Sequence, residues 1–194
     1  LLVSSAASDV YKRQDTSSDI SLPSENTEAL VLHTSGTTSR PKVVPLTQGN
    51  IVASAGNISN TLKLSEADHS LNIMPLFHIH GLIAVLCASL YSGSSICCTP
   101  GFNALKFFDL ATSEKITWYS GVPTMHQAIL LRGQRQVDGA KALKLRFIRS
   151  SSASLPPAVF EELADLFNCP VIEAYGMTEA CLLYTSDAAD DTRS

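Results

Sequence analysis

Short apolar runs alternating with longer stretches of helical period constrain this chain more than any other feature. "LNIM" (Leu71 to Met74), "SICC" (Ser95 to Cys98), "ITWYS" (Ile116 to Ser120), "LRFI" (Leu145 to Ile148) and "VIEAY" (Val171 to Tyr175) each have the length and composition of a strand. Between them, Ile79 to Leu90 is apolar on nearly every side and stops at Gly93, which predicts a buried helix. Ala104 to Lys115, with Phe107, Phe108 and Leu110 inward, Thr124 to Arg132, and Pro157 to Phe167 read as further helices, and residues 133–141 as a polar connection. Strands separated by helices cannot pair as tight hairpins. They must cross over, which predicts βα units, a mostly parallel sheet flanked by helices, and the α/β class. Upstream, Thr16 to Glu28 reads as a polar loop and "ALVLH" (Ala29 to His33) as a buried strand. Pro45 and Thr47 then open a helix, with Ile51, Ala55, Ile58 and Leu62 at helical spacing.

Composition narrows the partners. The 194 residues are 45% hydrophobic, enough for one globular core. A net charge of −4 provides no basic surface for nucleic acid or anionic lipid. The longest apolar run falls far short of the roughly 20 residues of a membrane span. Five cysteines show neither a C-x-x-C pair nor metal-ligand spacing, which suits a reducing, cytoplasmic compartment.

The two ends look foreign to the rest. "SSAASDVYKRQ" (Ser4 to Gln14) back-translates to a nucleotide string whose reverse complement, read one base in, encodes "CLLYTSDAADD" (Cys181 to Asp191). An inverted match of that length resembles a sequencing adaptor translated on both sides of an insert. Residues 1–14 and 181–194 are therefore expected to be non-native and to make no packed contacts. The native segment is expected to run over 15–180 and to be cut off after Ala180.

Chemistry concentrates in "TSGTTSRPK" (Thr34 to Lys42), where hydroxyls, free backbone N–H groups and an ammonium suit an oxyanion such as a phosphate chain. The plainer reading is a solvated Ser/Thr turn. The P-loop of nucleotide triphosphatases does not fit: Pro41 stands where its second Gly is required, and Val43 where its Ser or Thr holds the metal. Ser39 matters if its backbone needs a positive φ, which only Gly adopts cheaply.

A different phosphate loop matches better. "TSGTTSRPK" resembles that of the adenylate-forming acyl-CoA synthetase superfamily, and three later segments resemble that family in the same order. "PLFHIHG" (Pro75 to Gly81) is similar to the segment whose His lines the acyl pocket, a position taken by His78. Read alone, His78 and His80 are helix-start histidines satisfied by backbone, or an H-x-H metal pair. "SSSASLP" (Ser150 to Pro156) resembles the loop that lies along adenine. "EAYGMTEA" (Glu173 to Ala180) resembles a signature in which Tyr stacks on adenine, Thr binds phosphate and Glu holds Mg²⁺.

Carried over by position, the resemblance assigns the nucleotide to Thr34, Ser35, Gly36, Thr37, Thr38 and Lys42. It adds Ser152, Ala153, Ser154, Glu173, Ala174, Tyr175, Gly176 and Thr178. Lys42, His78, Thr178 and Glu179 take catalytic roles, His78 and Ser152 face the acyl substrate, and Glu179 is the metal ligand. The fold implied is part of a large AMP-binding domain over 15–180. The reaction implied joins a carboxylate to the α-phosphate of ATP with Mg²⁺, then passes the acyl group to coenzyme A.

"PLTQGN", "TWYSGVPTMHQ" and "LRFIRSSSASL" are similar to the oxalate–CoA ligase branch, a peroxisomal type, so the peroxisome is the alternative location. Val43, Ser151 and Gly101 depart from that branch, the last weakening a coenzyme A phosphate contact. Oxalate or another short dicarboxylate is the expected acid. The rivals are a fatty-acid or hydroxycinnamate CoA ligase and a nucleotide-binding module without catalysis. The serines from Ser150 to Ser152 either serve the acyl site or only satisfy strand-end backbone.

Overall fold

The computed structural model describes residues 21–34 and 41–181. β1 (Glu28–Thr34) and β2 (Lys42–Thr47) form a separate antiparallel ribbon, with Leu32 opposite Val44 and Thr34 opposite Lys42. α1 (Gln48–Thr61) begins on a capping box. The Thr47 hydroxyl accepts the Asn50 N–H at 3.2 Å, and Asn50 Oδ1 accepts the Thr47 N–H at 3.0 Å. Sequence reading misplaced this region in two ways. β1 is largely solvent-facing because, among the described residues, it pairs with β2 and not with the central sheet. Pro45 lies within β2 rather than at the helix start, which an edge strand tolerates because a missing N–H costs nothing there.

The central sheet holds β3 (His69–Asn72), β4 (Ser95–Cys98), β5 (Trp118–Gly121), β6 (Phe147–Ser151) and β7 (Val171–Ala174). All pairings are parallel, in the order β4-β3-β5-β6-β7. After β3 the chain is π-helical over His80–Cys87 and continues as an α-helix over Ala88–Tyr91, together α2. α3 (Ala104–Ser113), α4 (Pro123–Gly133), α5 (Val137–Ala142) and α6 (Pro157–Phe167) complete the layers, and Thr178–Ala180 is a single 3₁₀ turn. α5 occupies the stretch read as a bare polar connection. Its Ala140 is buried in the core beside α6, a tertiary contact that a polar local sequence hides.

A parallel sheet has to be covered on both faces, and this one is. Alternation along the strands assigns the side chains. Trp118 and Phe147 join Ile58, Leu62, Ile83 and Val85 of α1 and α2 on one face. Tyr119 and Ile148 meet Phe107, Ile129 and Leu163 of α3, α4 and α6 on the other. Cys181, first of the residues expected to lack packed contacts, is buried with Val44 and Trp118 in the first of these clusters, and its carbonyl accepts the Ser54 hydroxyl. Residues 1–14 and 182–194 lie outside the described residues.

The amino ends of the strands are tied by one ion pair. Arg146 donates through Nε to Asp68 Oδ1 at 2.9 Å and through Nη2 to Oδ2 at 3.1 Å, and both its Nη groups reach the Leu62 carbonyl. Asp68 also accepts from the Thr117 hydroxyl and the Ser65 N–H. Asp68 is 4% exposed while the Arg146 side chain is 40% exposed, so removing the carboxylate strands several donors yet leaves the cation partly hydrated. Asp68→Ala in the full-length protein is expected to cost about 2–3 kcal/mol. Urea unfolding checks this, and a midpoint equal to that of the unmodified protein would contradict it.

Candidate active site

β3 and β5 are sheet neighbours, but α2 leaves β3 toward β4 while α4 leaves β5 toward β6. That reversal opens a crevice at the carboxyl ends of the two strands, where α/β sheets bind ligands. The first residue of α2, His80, is fully buried. His80 Nε2 lies 2.7 Å from Ser120 Oγ on β5, and Nδ1 lies 3.1 Å from Ser152 Oγ just past β6. Arg149 on β6 donates from Nη1 to the same Ser120 Oγ at 3.2 Å. Burial, and next the Arg149 charge, push the His80 pKa down to about 2, so the imidazole stays neutral. His126 on α4 is also buried, which lowers its pKa to about 4, and its Nδ1 is 3.3 Å from the Tyr119 hydroxyl.

Gly81 makes the approach of α2 possible. A Cβ there would sit 2.5 Å from the Pro75 carbonyl oxygen, so only glycine lets the helix start so close to the preceding turn. The Gly81 carbonyl accepts from Asn72 Nδ2 at 3.3 Å, and Asn72 Oδ1 accepts the Met74 N–H at 3.2 Å. These bonds fix the end of β3 against α2.

His78, assigned to the acyl pocket by resemblance, is exposed, and its Nδ1 accepts the His80 N–H at 3.2 Å. The buried histidine of the pair is His80. His78 precedes α2 and His80 begins it, and H-x-H by itself does not say which of the two is buried.

Ser152, Ala153 and Ser154 form an exposed loop beyond β6, with Ser152 held at φ 74°, a strained backbone for a side-chain-bearing residue. Glu173 steadies this loop, since its Oε1 accepts the Leu155 N–H at 2.9 Å. The hydroxyls of Ser150 and Ser151 are buried and take no hydrogen bond among the described residues, so they do not satisfy strand-end backbone.

β7 is in register with β6, Glu173 opposite Ser150 and Ala174 opposite Ser151. Tyr175 and the residues after it thus leave the strand next to the one that leads into the Ser152–Ser154 loop. Tyr175 is 69% exposed, which leaves a ring face open for stacking. Thr178 and Glu179 start the 3₁₀ turn, Thr178 half-buried and Glu179 exposed. Thr34 and Lys42 face each other across the open end of the ribbon, and the Thr34 hydroxyl is buried without a partner among the described residues. Ser35, Gly36, Thr37 and Thr38 lie outside the described residues. Of the three segments assigned to the nucleotide, two, Ser152–Ser154 and Tyr175–Glu179, follow neighbouring strands. Ser120, Arg149 and His80 were not anticipated as a unit. The signal for Ser120 and Arg149 was a polar residue inside an otherwise apolar strand, and for His80 a histidine at the start of an apolar helix.

The fold is a parallel α/β sheet with a switch point between β3 and β5 and, beyond β6 and β7, a hydroxyl loop, an exposed tyrosine and an acidic turn. The chain belongs to the AMP-binding enzyme family, whose model matches residues 2–194. It is 48% identical over 161 residues to a probable CoA ligase of Humulus lupulus, covering 82% of this chain and 30% of the relative. It is likewise 48% identical to the oxalate–CoA ligase of Arabidopsis thaliana, covering 82% of this chain and 31% of the relative. Among solved structures, ATP-bound MatB from Rhodopseudomonas palustris superposes with a TM-score of 0.76 at 26% identity, over 85% of this chain and 32% of that one. The chain therefore spans under a third of the length of these relatives.

The buried neutral His80 makes stability depend on pH. Its native pKa is near 2 and its unfolded one near 6.5, so between those values the unfolded state binds the extra proton. The contribution is complete above pH 6.5 and is lost as pH falls. From pH 7 to pH 5 this site alone is expected to cost about 2 kcal/mol, measured by urea unfolding. His80→Asn should flatten that pH dependence by about one proton.

Proposed function

We propose that this chain is part of an AMP-forming acid–thiol ligase that activates a carboxylic acid with ATP and transfers the acyl group to coenzyme A. The observation that supports the reading is the register of β6 and β7, neighbouring strands whose carboxyl ends lead into the Ser152–Ser154 loop and into Tyr175, Thr178 and Glu179. An open tyrosine ring stacks on a base, and the loop backbone beside it meets the base edge. Thr178 offers a hydroxyl to the phosphate where charge accumulates as pyrophosphate leaves. Lys42 and the hydroxyl of Thr34, at the mouth of the ribbon, serve the outer phosphates.

Glu179 fits Mg²⁺: it is an exposed hard oxygen donor one residue from the phosphate-binding threonine. The ion, when bound, offsets charge on the phosphate oxygens. Glu173 keeps the adenine loop in place through the Leu155 N–H.

For the acid, the reading is oxalate or a similarly short dicarboxylate. The hydrogen-bonded group of His80, Ser120, Arg149 and Ser152 at the carboxyl ends of the strands is polar, and suits a compact charged group better than an alkyl chain. The similarity to an oxalate–CoA ligase supports the same choice. Five free thiols suit a reducing compartment, the cytoplasm or the peroxisome.

The test is CoA-thioester formation by the full-length protein with oxalate, malonate, octanoate and coumarate. Oxalate is expected to lead in kcat/KM. A tenfold lead for octanoate or coumarate would reject the dicarboxylate and keep the ligase. Glu179→Ala should slow adenylation by about 10²-fold, a typical loss for one electrostatic stabiliser. Unchanged pyrophosphate release would remove Glu179 from the mechanism.

A further inference from the structure

Arg149 has no role in the reading above beyond lending polarity, yet burying its charge is costly. Its side chain is 1% exposed, and among the described residues it forms no ion pair, Arg146 taking Asp68. Its Nε has no hydrogen-bond partner among them. Burial lowers its pKa only to about 10, so it is a cation at neutral pH. A buried cation without a counter-charge is expensive, and the cost is offset when an anion arrives within reach of its field.

Its connections run one way. Arg149 only donates, so Ser120 Oγ must accept from Nη1 and keeps one proton to give. Two acceptors compete for it, the Arg149 carbonyl at 3.2 Å and His80 Nε2 at 2.7 Å, and the shorter contact is to the histidine. With Nε2 accepting, neutral His80 carries its proton on Nδ1 and donates to Ser152 Oγ at 3.1 Å. Ser152 then has its own proton free, and Ser152 is the exposed member, held at φ 74° on the loop beside the nucleotide edge.

We propose that Arg149, Ser120, His80 and Ser152 form a donor relay that carries the polarisation of a buried cation to an exposed hydroxyl, and that this hydroxyl selects acids bearing a second carboxylate. The inference rests on the acid-activating reading and adds the residues that set its specificity. Each bond of the relay has its donor on the Arg149 side, so the bonds strengthen one another. A monoacid loses its charge on adenylation, whereas a diacid keeps one carboxylate to accept from Ser152. Ser152 touches the acid, and Arg149, Ser120 and His80 are positioning residues.

The experiment uses the full-length enzyme and compares Ser120→Ala, Arg149→Gln and the double variant. Each single variant is expected to raise KM for oxalate about tenfold or more while KM for ATP changes by less than about twofold. The double variant should be no worse than the poorer single one, because both break the same relay. Arg149→Lys, which restores the charge, should recover part of the oxalate affinity. Ser120→Ala removes one oxygen only and keeps the test alive if Arg149→Gln does not fold. Two results overturn the relay while leaving the ligase reading standing: oxalate KM unmoved in Ser120→Ala, or fully additive losses in the double variant. An unmodified enzyme that uses only monoacids overturns both the relay and the dicarboxylate assignment.

Discussion

The site exists because β3 and β5 are neighbours although β4 lies between them in the chain. α3 carries the chain from β4 back across β3, and only that crossover puts helices leaving in opposite directions on adjacent strands. The crevice follows from the topology. His80 enters it because α2 begins directly after β3 and Gly81 permits the close approach. Ser120 and Arg149 reach it because they follow Trp118 and Phe147 by two residues and so point to the same face of the sheet.

The two ends of the sheet handle charge in opposite ways. At the amino ends, Arg146 and Asp68 neutralise each other in a two-pronged pair next to water, an arrangement that only holds the fold together. At the carboxyl ends, Arg149 is buried with no carboxylate partner among the described residues and donates to the Ser120 hydroxyl, which in turn meets the neutral imidazole of His80. Apolar packing around Trp118, Phe147 and Ile83 supplies the cohesion that lets the fold carry such a group. Two arginines three residues apart thus sit in opposite electrostatic settings, one paired beside water and one buried without a counter-charge among the described residues.

Much of the fold was legible because its signals are local. Pro157 to Phe167 has a proline at its first turn and an apolar stripe, and the helix has those bounds. Thr47 was a visible N-cap, and Gly93 a visible stop, with φ 74°. The ribbon was not legible: β1 looks like a buried strand because Leu30 and Leu32 pack under α1 and α2, and only its pairing partner reveals it as a hairpin. α5 was missed because one buried alanine leaves almost no pattern.

For the site, motif order in the chain named Ser152, Tyr175, Thr178 and Glu179, since each lies on a short segment whose chemistry is contained in consecutive residues. By itself, the sequence determined the alternation of strands and helices, hence a parallel sheet, and the chemical character of the loops at its edge. Tertiary structure alone decided which histidine of H-x-H is buried. It also decided that Ser120 and Arg149, 29 residues apart, share one hydroxyl bond. The physical reason is that strand order and helix rotation are set by long-range packing, and a hydrogen bond between distant residues leaves no periodic trace along the chain.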